Sequence, residues 1–305
     1  MAKAKPFIKW VGGKGQLIEQ LEALLPADFA ERENITYIEP FVGGGAMLFY
    51  MLQTYPNIKS AVINDINPDL TLCYQVVRDT PTELIKSLDA IQSEYYALQT
   101  EEERKLFFLK QRNRFNTKSL NPIENSTLFF FLNRTCFNGL YRVNKAGKFN
   151  VPFGKYTKPT ICDAATIYAD SKLLQKVEIM TGDFEQTFAK IKDKTFFYFD
   201  PPYRPLSNTS SFNDYSKEDF NDDAQIRLKH FCDRLTEIGV DFMLSNSDCF
   251  GKDGKDRFFD DLFIDYKIER VWASRNVNAV ASKRGKLTEI LVRNYNYIDV
   301  QFNNM

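Results

Sequence analysis

Ile35-Thr-Tyr-Ile-Glu-Pro-Phe-Val-Gly-Gly-Gly-Ala-Met-Leu-Phe-Tyr-Met-Leu52, followed by Ser60-Ala-Val-Ile-Asn-Asp65, is the stretch from which the fold is read. Ile35–Glu39 is a short β-branched and aromatic run that predicts a strand. Gly43, Gly44 and Gly45 then open an apolar helical pattern from Ala46 to Leu52. Ser60–Ile63 predicts a second strand, closed by Asn64-Asp65, and Pro68 starts another helix. Strand, glycine turn, helix, strand and acid make the opening of a parallel βαβ unit. Backbone at such a turn can approach a ligand closely, and an acid at the end of the next strand can accept hydrogen bonds from a ribose. The turn alone does not decide its ligand. A dinucleotide fingerprint wants Gly or Ala where Leu48 stands.

Further strands are predicted at Val177–Met180, Thr195–Phe199, Val240–Leu244 and Leu287–Val292, with a helix over Asp222–Ile238. The αβ alternation breaks near residue 75 and resumes near 165. Between these points residues 81–135 are mostly helical, and Leu140–Pro152 alternates around Lys145-Ala146-Gly147, which predicts a β-hairpin. The expected organisation is an α/β domain of residues 1–75 and 165–305, interrupted by a mainly helical insert, 76–164, that carries the hairpin.

Composition bounds the classes. The chain has 305 residues, 44% hydrophobic and 26% charged, as a globular protein does. No run reaches the roughly 18 apolar residues of a membrane helix, and no secretory signal stands at the N-terminus, so a cytoplasmic location is expected. Five cysteines without a Cys-x-x-Cys and one histidine, His230, argue against a disulfide framework, a Cys/His zinc site and His-based catalysis; no metal is expected. Forty basic residues balance forty acidic ones, but Arg104–Lys158 holds twelve Lys/Arg against the single acid Glu124. Phe115, Phe137, Tyr141, Phe149, Phe153 and Tyr156 are interleaved there with Asn133, Asn138 and Asn144. Cations, rings and amides in one segment suit phosphates, unstacked bases and base edges.

Two further motifs narrow the chemistry. Lys9-Trp-Val-Gly-Gly-Lys14 fails as a P-loop, because Ile8 stands where glycine is required and Gly15 where Ser or Thr should follow the lysine. It leaves an indole able to pack along an adenosyl group and a cation able to meet a carboxylate. Asp200-Pro-Pro-Tyr203 ends the buried-strand run Phe196–Phe199 and so falls at the carboxyl edge of a parallel sheet, where ligands bind. Two prolines stiffen the backbone and remove two competing N–H donors. The Asp200 carboxylate and the Pro201 carbonyl can then face one donor group, with Tyr203 as a flat surface beside them. Two acceptors and a ring describe a receptor for a planar, amino-bearing heterocycle.

In this order, Lys9–Lys14, Phe41–Gly45, Ile63–Asp65 and Asp200–Tyr203 resemble the DNA adenine-N6 methyltransferases of the Dam type, in the alpha group of amino-methyltransferases. The resemblance extends through Leu132–Asn144, Phe149–Tyr156, Gly182–Phe184, Leu244–Asn246 and Ser282–Val292, and so covers most of the chain. It implies a Rossmann-like AdoMet-dependent methyltransferase domain with an inserted mainly helical DNA-recognition domain. It also implies S-adenosyl-L-methionine as methyl donor, with Trp10, Lys14, Asp65 and Asp200 as binding positions. Glu39, Phe41, Gly43, Gly45 and Asp183 match further contacts. Asp200, Pro201 and Tyr203 match the catalytic set, acting on an adenine flipped out of double-stranded DNA, as a base inside a duplex cannot reach such a pocket.

By the same resemblance the hairpin enters the major groove of a GATC site. Arg142 and Lys9 match positions that read guanines, and Leu140 and Pro152 match positions that pack on a thymine methyl. Phe137 and Asn138 match residues that fill the gap left by the flipped base. Lys155 matches a phosphate contact, and Asn144 and Tyr156 complete the expected DNA-binding set. A restriction endonuclease acting on the same site, without binding the enzyme, is a compatible partner. The competing readings are methylation of cytosine N4, an RNA base or a glutamine amide, a Rossmann oxidoreductase, and a non-catalytic DNA-binding module. Leu48 and the Asp200 tetrapeptide disfavour the oxidoreductase, and the intact tetrapeptide speaks against the non-catalytic module.

Overall fold

The computed structural model describes residues 2–204, 220–250, 254–274 and 286–296. The strand expected at Ile35–Glu39 is β1, and all five of its residues are buried. The glycine turn leads into α2 (Ala46–Thr54), after the short α1 (Ile18–Glu22) near the N-terminus. β2 (Ile58–Asp65) is longer than expected at both ends. β3 (Val177–Thr181), β4 (Thr195–Phe199), β5 (Asp241–Ser247), β6 (Lys267–Ser274) and β7 (Lys286–Arg293) complete a seven-stranded sheet of order β3-β2-β1-β4-β5-β7-β6. β1, β4 and β5 run parallel, whereas β7 is antiparallel to both β5 and β6. This is the α/β, Rossmann-like arrangement that the sequence predicts. Of the quoted tail, Ser282–Gly285 lies outside the described residues.

The chain divides into two compact units, Met1–Gly13, Val42–Thr54 and Ile63–Asp183 in one, Lys14–Phe41, Tyr55–Val62 and Phe184–Met305 in the other. In the first, α3 (Pro68–Asp79), α4 (Pro81–Ala97), α5 (Glu101–Phe115), α6 (Pro122–Thr135) and α7 (Ala164–Leu174) start at readable signals. Asn67 caps α3, Asn121 caps α6 and Asp163 caps α7, each accepting from a first-turn N–H, while Thr100 and Glu103 form a reciprocal capping box on α5. α6 buries every residue from Asn125 to Asn133, so it is the central helix of this unit.

In the second unit the phenylalanines of β4 meet α8 (Asp222–Glu237). The Phe231 ring lies 5.7 Å from the rings of Phe197, Phe199, Phe184 and Phe188. Truncating such a ring to alanine costs about 3–5 kcal/mol. That packing fixes where β4 ends, and hence where Asp200 begins.

Two sequence expectations differ from the structure. Within Leu140–Pro152 no strand forms; the only pairing is isolated antiparallel bridges, Val143 to Phe149 there and Cys136 to Phe153 alongside. The backbone pairs sparsely, Asn144 N–H donating to the Lys148 carbonyl (2.9 Å) and Asn150 N–H to the Arg142 carbonyl (3.1 Å), and side chains add to it: Arg142 Nε donates to Asn150 Oδ1 (2.7 Å), and Asn144 Oδ1 accepts from the N–H groups of Ala146 and Lys148. The turn itself stands where expected, with Gly147 at φ 69°. β6 was not predicted. Glu269 and Arg270 interrupt its apolar run, because they pair with Arg293 and with Asp248 and Asp260. A small helix, α9 (Phe258–Leu262), precedes it.

Candidate active site

In the second unit, four side chains converge at the carboxyl end of β4. Lys14 is 4% exposed, and its Nζ lies 2.9 Å from Asp200 Oδ1 and 3.4 Å from Glu289 Oε2 on β7. It donates to the Tyr203 hydroxyl at 2.6 Å, and that hydroxyl donates onward to Glu289 at 2.6 Å. Asp200 keeps 22% of its side chain accessible. Burial raises its carboxyl above the ordinary value, Lys14 opposes the rise, and Glu289 adds to it. The Tyr203 phenol is pushed far up by burial and by the two carboxylates. Lys14 therefore meets two carboxylates of the chain itself, those of Asp200 and Glu289.

Glu289 was not anticipated. The visible signal is an acid directly before the apolar run Ile290-Leu291-Val292, since a charge in a buried strand needs a partner. Nearby, Tyr37 donates to Glu39 at 3.0 Å, both fully or almost fully buried, and Tyr198 hydrogen-bonds Ser245 at 3.0 Å. Phe41 packs between the rings of Phe184 (5.3 Å) and Phe220 (5.4 Å).

In the first unit the glycine turn is held from two sides. Gly43 N–H donates to Asp65 Oδ2 (3.1 Å), and Tyr74 donates to the Gly43 carbonyl (3.0 Å). Gly43 and Gly45 have φ of 48° and 73°, the region that glycine adopts without strain. A Cβ on Gly43 would stand 2.7 Å from Trp10 Cδ1, so the indole lies directly on the turn. Its other neighbour is Tyr141, stacked at 5.8 Å and 24°, which stacks in turn on Phe129 at 5.2 Å. Tyr141 donates to Asp69 at 3.2 Å.

Trp10 is thus half-buried in an aromatic stack, with the glycine turn against it. Asp65 also accepts from Asn67 N–H (3.0 Å), and burial raises its carboxyl to about 6 against those backbone donors. Asp183 follows Gly182, whose N–H donates to the Asp65 carbonyl at 3.1 Å.

The basic insert presents its expected residues unevenly. Phe137 is 53% exposed, an unusual setting for a large apolar ring, and Asn138 beside it sits at φ 55°. Leu140, Arg142, Asn144 and Tyr156 are half-buried; Pro152 and Lys155 are exposed. Lys9 lies 5.1 Å from the Tyr156 ring, and its backbone N–H and carbonyl are both held by the Asn133 side chain at 2.8 Å. Lys155 pairs with Glu101 at 2.9 Å. Arg142 has no carboxylate partner among the described residues. Asn150 occupies its Nε, which leaves the two terminal nitrogens available.

The family model for the D12 class of N6 adenine-specific DNA methyltransferases matches residues 10–277. A type II methyltransferase of Methanocaldococcus jannaschii, M.MjaIII, is 46% identical over 96% of this chain and all of its own length. A type II methyltransferase of Lactococcus lactis subsp. cremoris, M1.LlaDCHI, is 37% identical over 95% of each chain. The DNA adenine methylase of Escherichia coli K12 is 30% identical, again over 95% of each. With an Asp-Pro-Pro-Tyr turn at the end of β4 and a family match spanning most of its length, this chain belongs to the D12 class of N6 adenine-specific DNA methyltransferases.

Proposed function

We propose that this enzyme transfers a methyl group from S-adenosyl-L-methionine to N6 of an adenine swung out of double-stranded DNA, within GATC. The observation that carries the reading is the half-buried Asp200, fixed by Lys14 at 2.9 Å with one side still accessible. Adenine N6 is a poor nucleophile, because its lone pair is delocalised into the ring. The Asp200 carboxylate and the Pro201 carbonyl accept its two hydrogens, which favours a pyramidal nitrogen with the lone pair free. Burial makes Asp200 the stronger acceptor by raising its proton affinity. The nitrogen sheds its proton only after gaining positive charge, so no strong base is needed beforehand. The ring of Tyr203 stacks on the extruded base, and its hydroxyl is tethered by Lys14 and Glu289, so the ring face is preset. Catalysis is mainly orientation and electrostatics.

The residues present suit the methyl donor. The two positive-φ glycines, the indole on their turn and the half-buried Asp65 offer close backbone, a stacking face and ribose acceptors. Trp10, Lys14, Glu39, Phe41, Gly43, Gly45, Asp65, Asp183 and Asp200 are the positions assigned to it. When bound, it supplies a methyl group made electrophilic by a sulfonium.

Residues 76–164 serve as the DNA-recognition insert. The exposed Phe137 wedges into the gap left by the base. The terminal nitrogens of Arg142 pair with a guanine O6 and N7. Leu140 and Pro152 meet a thymine methyl, Lys9 reaches the second guanine, and Asn138, Asn144, Lys155 and Tyr156 line the contact. Lys155 gives up Glu101 for a phosphate. A restriction endonuclease sharing the site fits the type II names of two relatives. The test is transfer of tritium from labelled S-adenosylmethionine to a GATC duplex, to duplexes with one base pair replaced, and to RNA of the same sequence. Label confined to the GATC duplex is expected; equal label on RNA or on cytosine-only sites overturns the reading.

A further inference from the structure

The backbone on both sides of Tyr203 is gripped by side chains that touch no expected substrate. Gln225, on the first turn of α8 and 2% exposed, donates from Nε2 to the Pro202 carbonyl at 3.1 Å. Its Oε1 accepts from Nδ2 of Asn246 at 3.0 Å; Asn246 lies on β5 and is fully buried. Asn246 Oδ1 in turn accepts from the backbone N–H of Arg204 (3.3 Å) and of Ser247 (2.9 Å). The Ser247 hydroxyl donates to the Arg204 carbonyl at 2.7 Å, closing a second grip on the residue after Tyr203. The Arg204 guanidinium is held outside this chain by Asp222 (2.8 Å) and Asp256, with its carbon 4.4 Å from the centre of the Phe258 ring.

Gln225 and Asn246 use both ends of both amides in this chain of contacts. Neither amide can turn over without leaving a buried donor facing a donor. A buried network satisfied in this way rigidifies the backbone groups that it joins.

We infer that Gln225 and Asn246 are positioning residues of the methyl-transfer site. They lock the Pro202 carbonyl and the Arg204 N–H, and so set the direction of the Pro201 carbonyl and the tilt of the Tyr203 ring. This rests on the reading of Asp200-Pro-Pro-Tyr203 as the N6 receptor and extends it to residues behind that receptor. A displacement of about 1 Å in a reacting pair costs on the order of a hundredfold in rate. Loss of one anchor, with the other intact, therefore lowers turnover by about ten- to a hundredfold and leaves ground-state binding of DNA and methyl donor little changed.

The test compares Gln225→Met, which keeps shape and loses both hydrogen bonds, with Asn246→Asp. The latter keeps the acceptor for Arg204 and Ser247 and loses the donor to Gln225. Steady-state methylation of a GATC duplex gives kcat and both KM values, and thermal melting reports folding. The expected result is a kcat lowered by about ten- to a hundredfold in Gln225→Met, a smaller loss in Asn246→Asp, and KM values within about twofold of the parent. A folded variant with parental kcat, or one in which only KM rises, overturns the proposal. Parent enzyme and Asp200→Ala run in the same assay keep the two readings apart. An inactive parent, or an active Asp200→Ala, defeats the receptor itself, whereas parental activity in Gln225→Met beside an inactive Asp200→Ala defeats only the positioning role.

Discussion

Replacing Lys14 with methionine removes one positive charge from among Asp200, Glu289 and the Tyr203 hydroxyl and keeps most of the side-chain volume. In the folded protein Asp200 already titrates above its ordinary value because it is buried, and Lys14 is the group that holds it down. At an effective dielectric of about 20, unit charges 2.9 Å apart attract by about 6 kcal/mol. Glu289 competes for the same amine at 3.4 Å, and solvent reaches the exposed part of Asp200, so only a fraction of that attraction is felt as a change in acidity. An opposite charge at this range favours the ionised carboxyl. Without Lys14 the Asp200 carboxyl rises further, since burial and Glu289 are then unopposed, and the acid form persists to higher pH.

The sign follows. Accepting an N6 hydrogen requires the ionised form, so the acidic limb of the kcat profile moves to higher pH in Lys14→Met. The assay is single-site methylation at saturating duplex and methyl donor from pH 5 to 9, with melting curves to establish folding. An acidic limb that coincides with that of the parent, in a folded variant, refutes the coupling of Lys14 to Asp200.

Asp170 is fully buried; its Oδ1 accepts from Lys5 N–H at 3.0 Å, its Oδ2 has no hydrogen-bond partner among the described residues, and burial raises it to about 8. Because the folded value lies above the unfolded one, its contribution to stability is complete in acid and is lost as pH rises towards about 8. Asp170→Asn should flatten the fall of melting temperature across that range, and an unchanged slope contradicts this. Arg142→Ala should cost about 1–3 kcal/mol at one base pair of the site and relax selection there; equal weakening on every sequence makes it a phosphate contact instead. Tyr141→Leu removes a stack worth about 0.5–1.5 kcal/mol from beneath Trp10 and should weaken methyl-donor binding by a comparable factor, measured by calorimetry, with no change if Trp10 is held by the turn alone.

What was legible in the sequence is local. A strand that runs into three glycines, a helix and an acid fixes its own geometry within thirty residues, and the structure has Gly43 N–H on Asp65. The Asp200 turn announced itself because two prolines after a run of aromatics have few other uses. Glu289, Gln225 and Asn246 were not read as parts of the site, because each reaches it through the sheet or from a helix far along the chain, and no short-range pattern records such a meeting. β6 was missed for a related reason. Its charged residues are satisfied by partners on β7 and on residues 248 and 260, so the strand does not need the alternation that marks an isolated one. The hairpin that alternation and turn chemistry predict keeps its turn and the backbone bonds of Asn144 N–H to Lys148 and Asn150 N–H to Arg142, but the pairing stops at isolated bridges, and the Arg142 and Asn144 side chains hold the rest. In the sequence Tyr141 is one ring among many in a basic segment, and its place between Trp10 and Phe129 is a packing fact that depends on tertiary structure.

The proposed reaction turns on the Asp200 carboxylate holding N6 of the target adenine. Single-turnover methylation by Asp200→Ala, with duplex binding measured in parallel by fluorescence anisotropy, tests it most directly. The expected result is that N6-methyladenine formation is abolished while duplex affinity stays close to that of the parent. Methyl transfer at the parental rate by Asp200→Ala would contradict it.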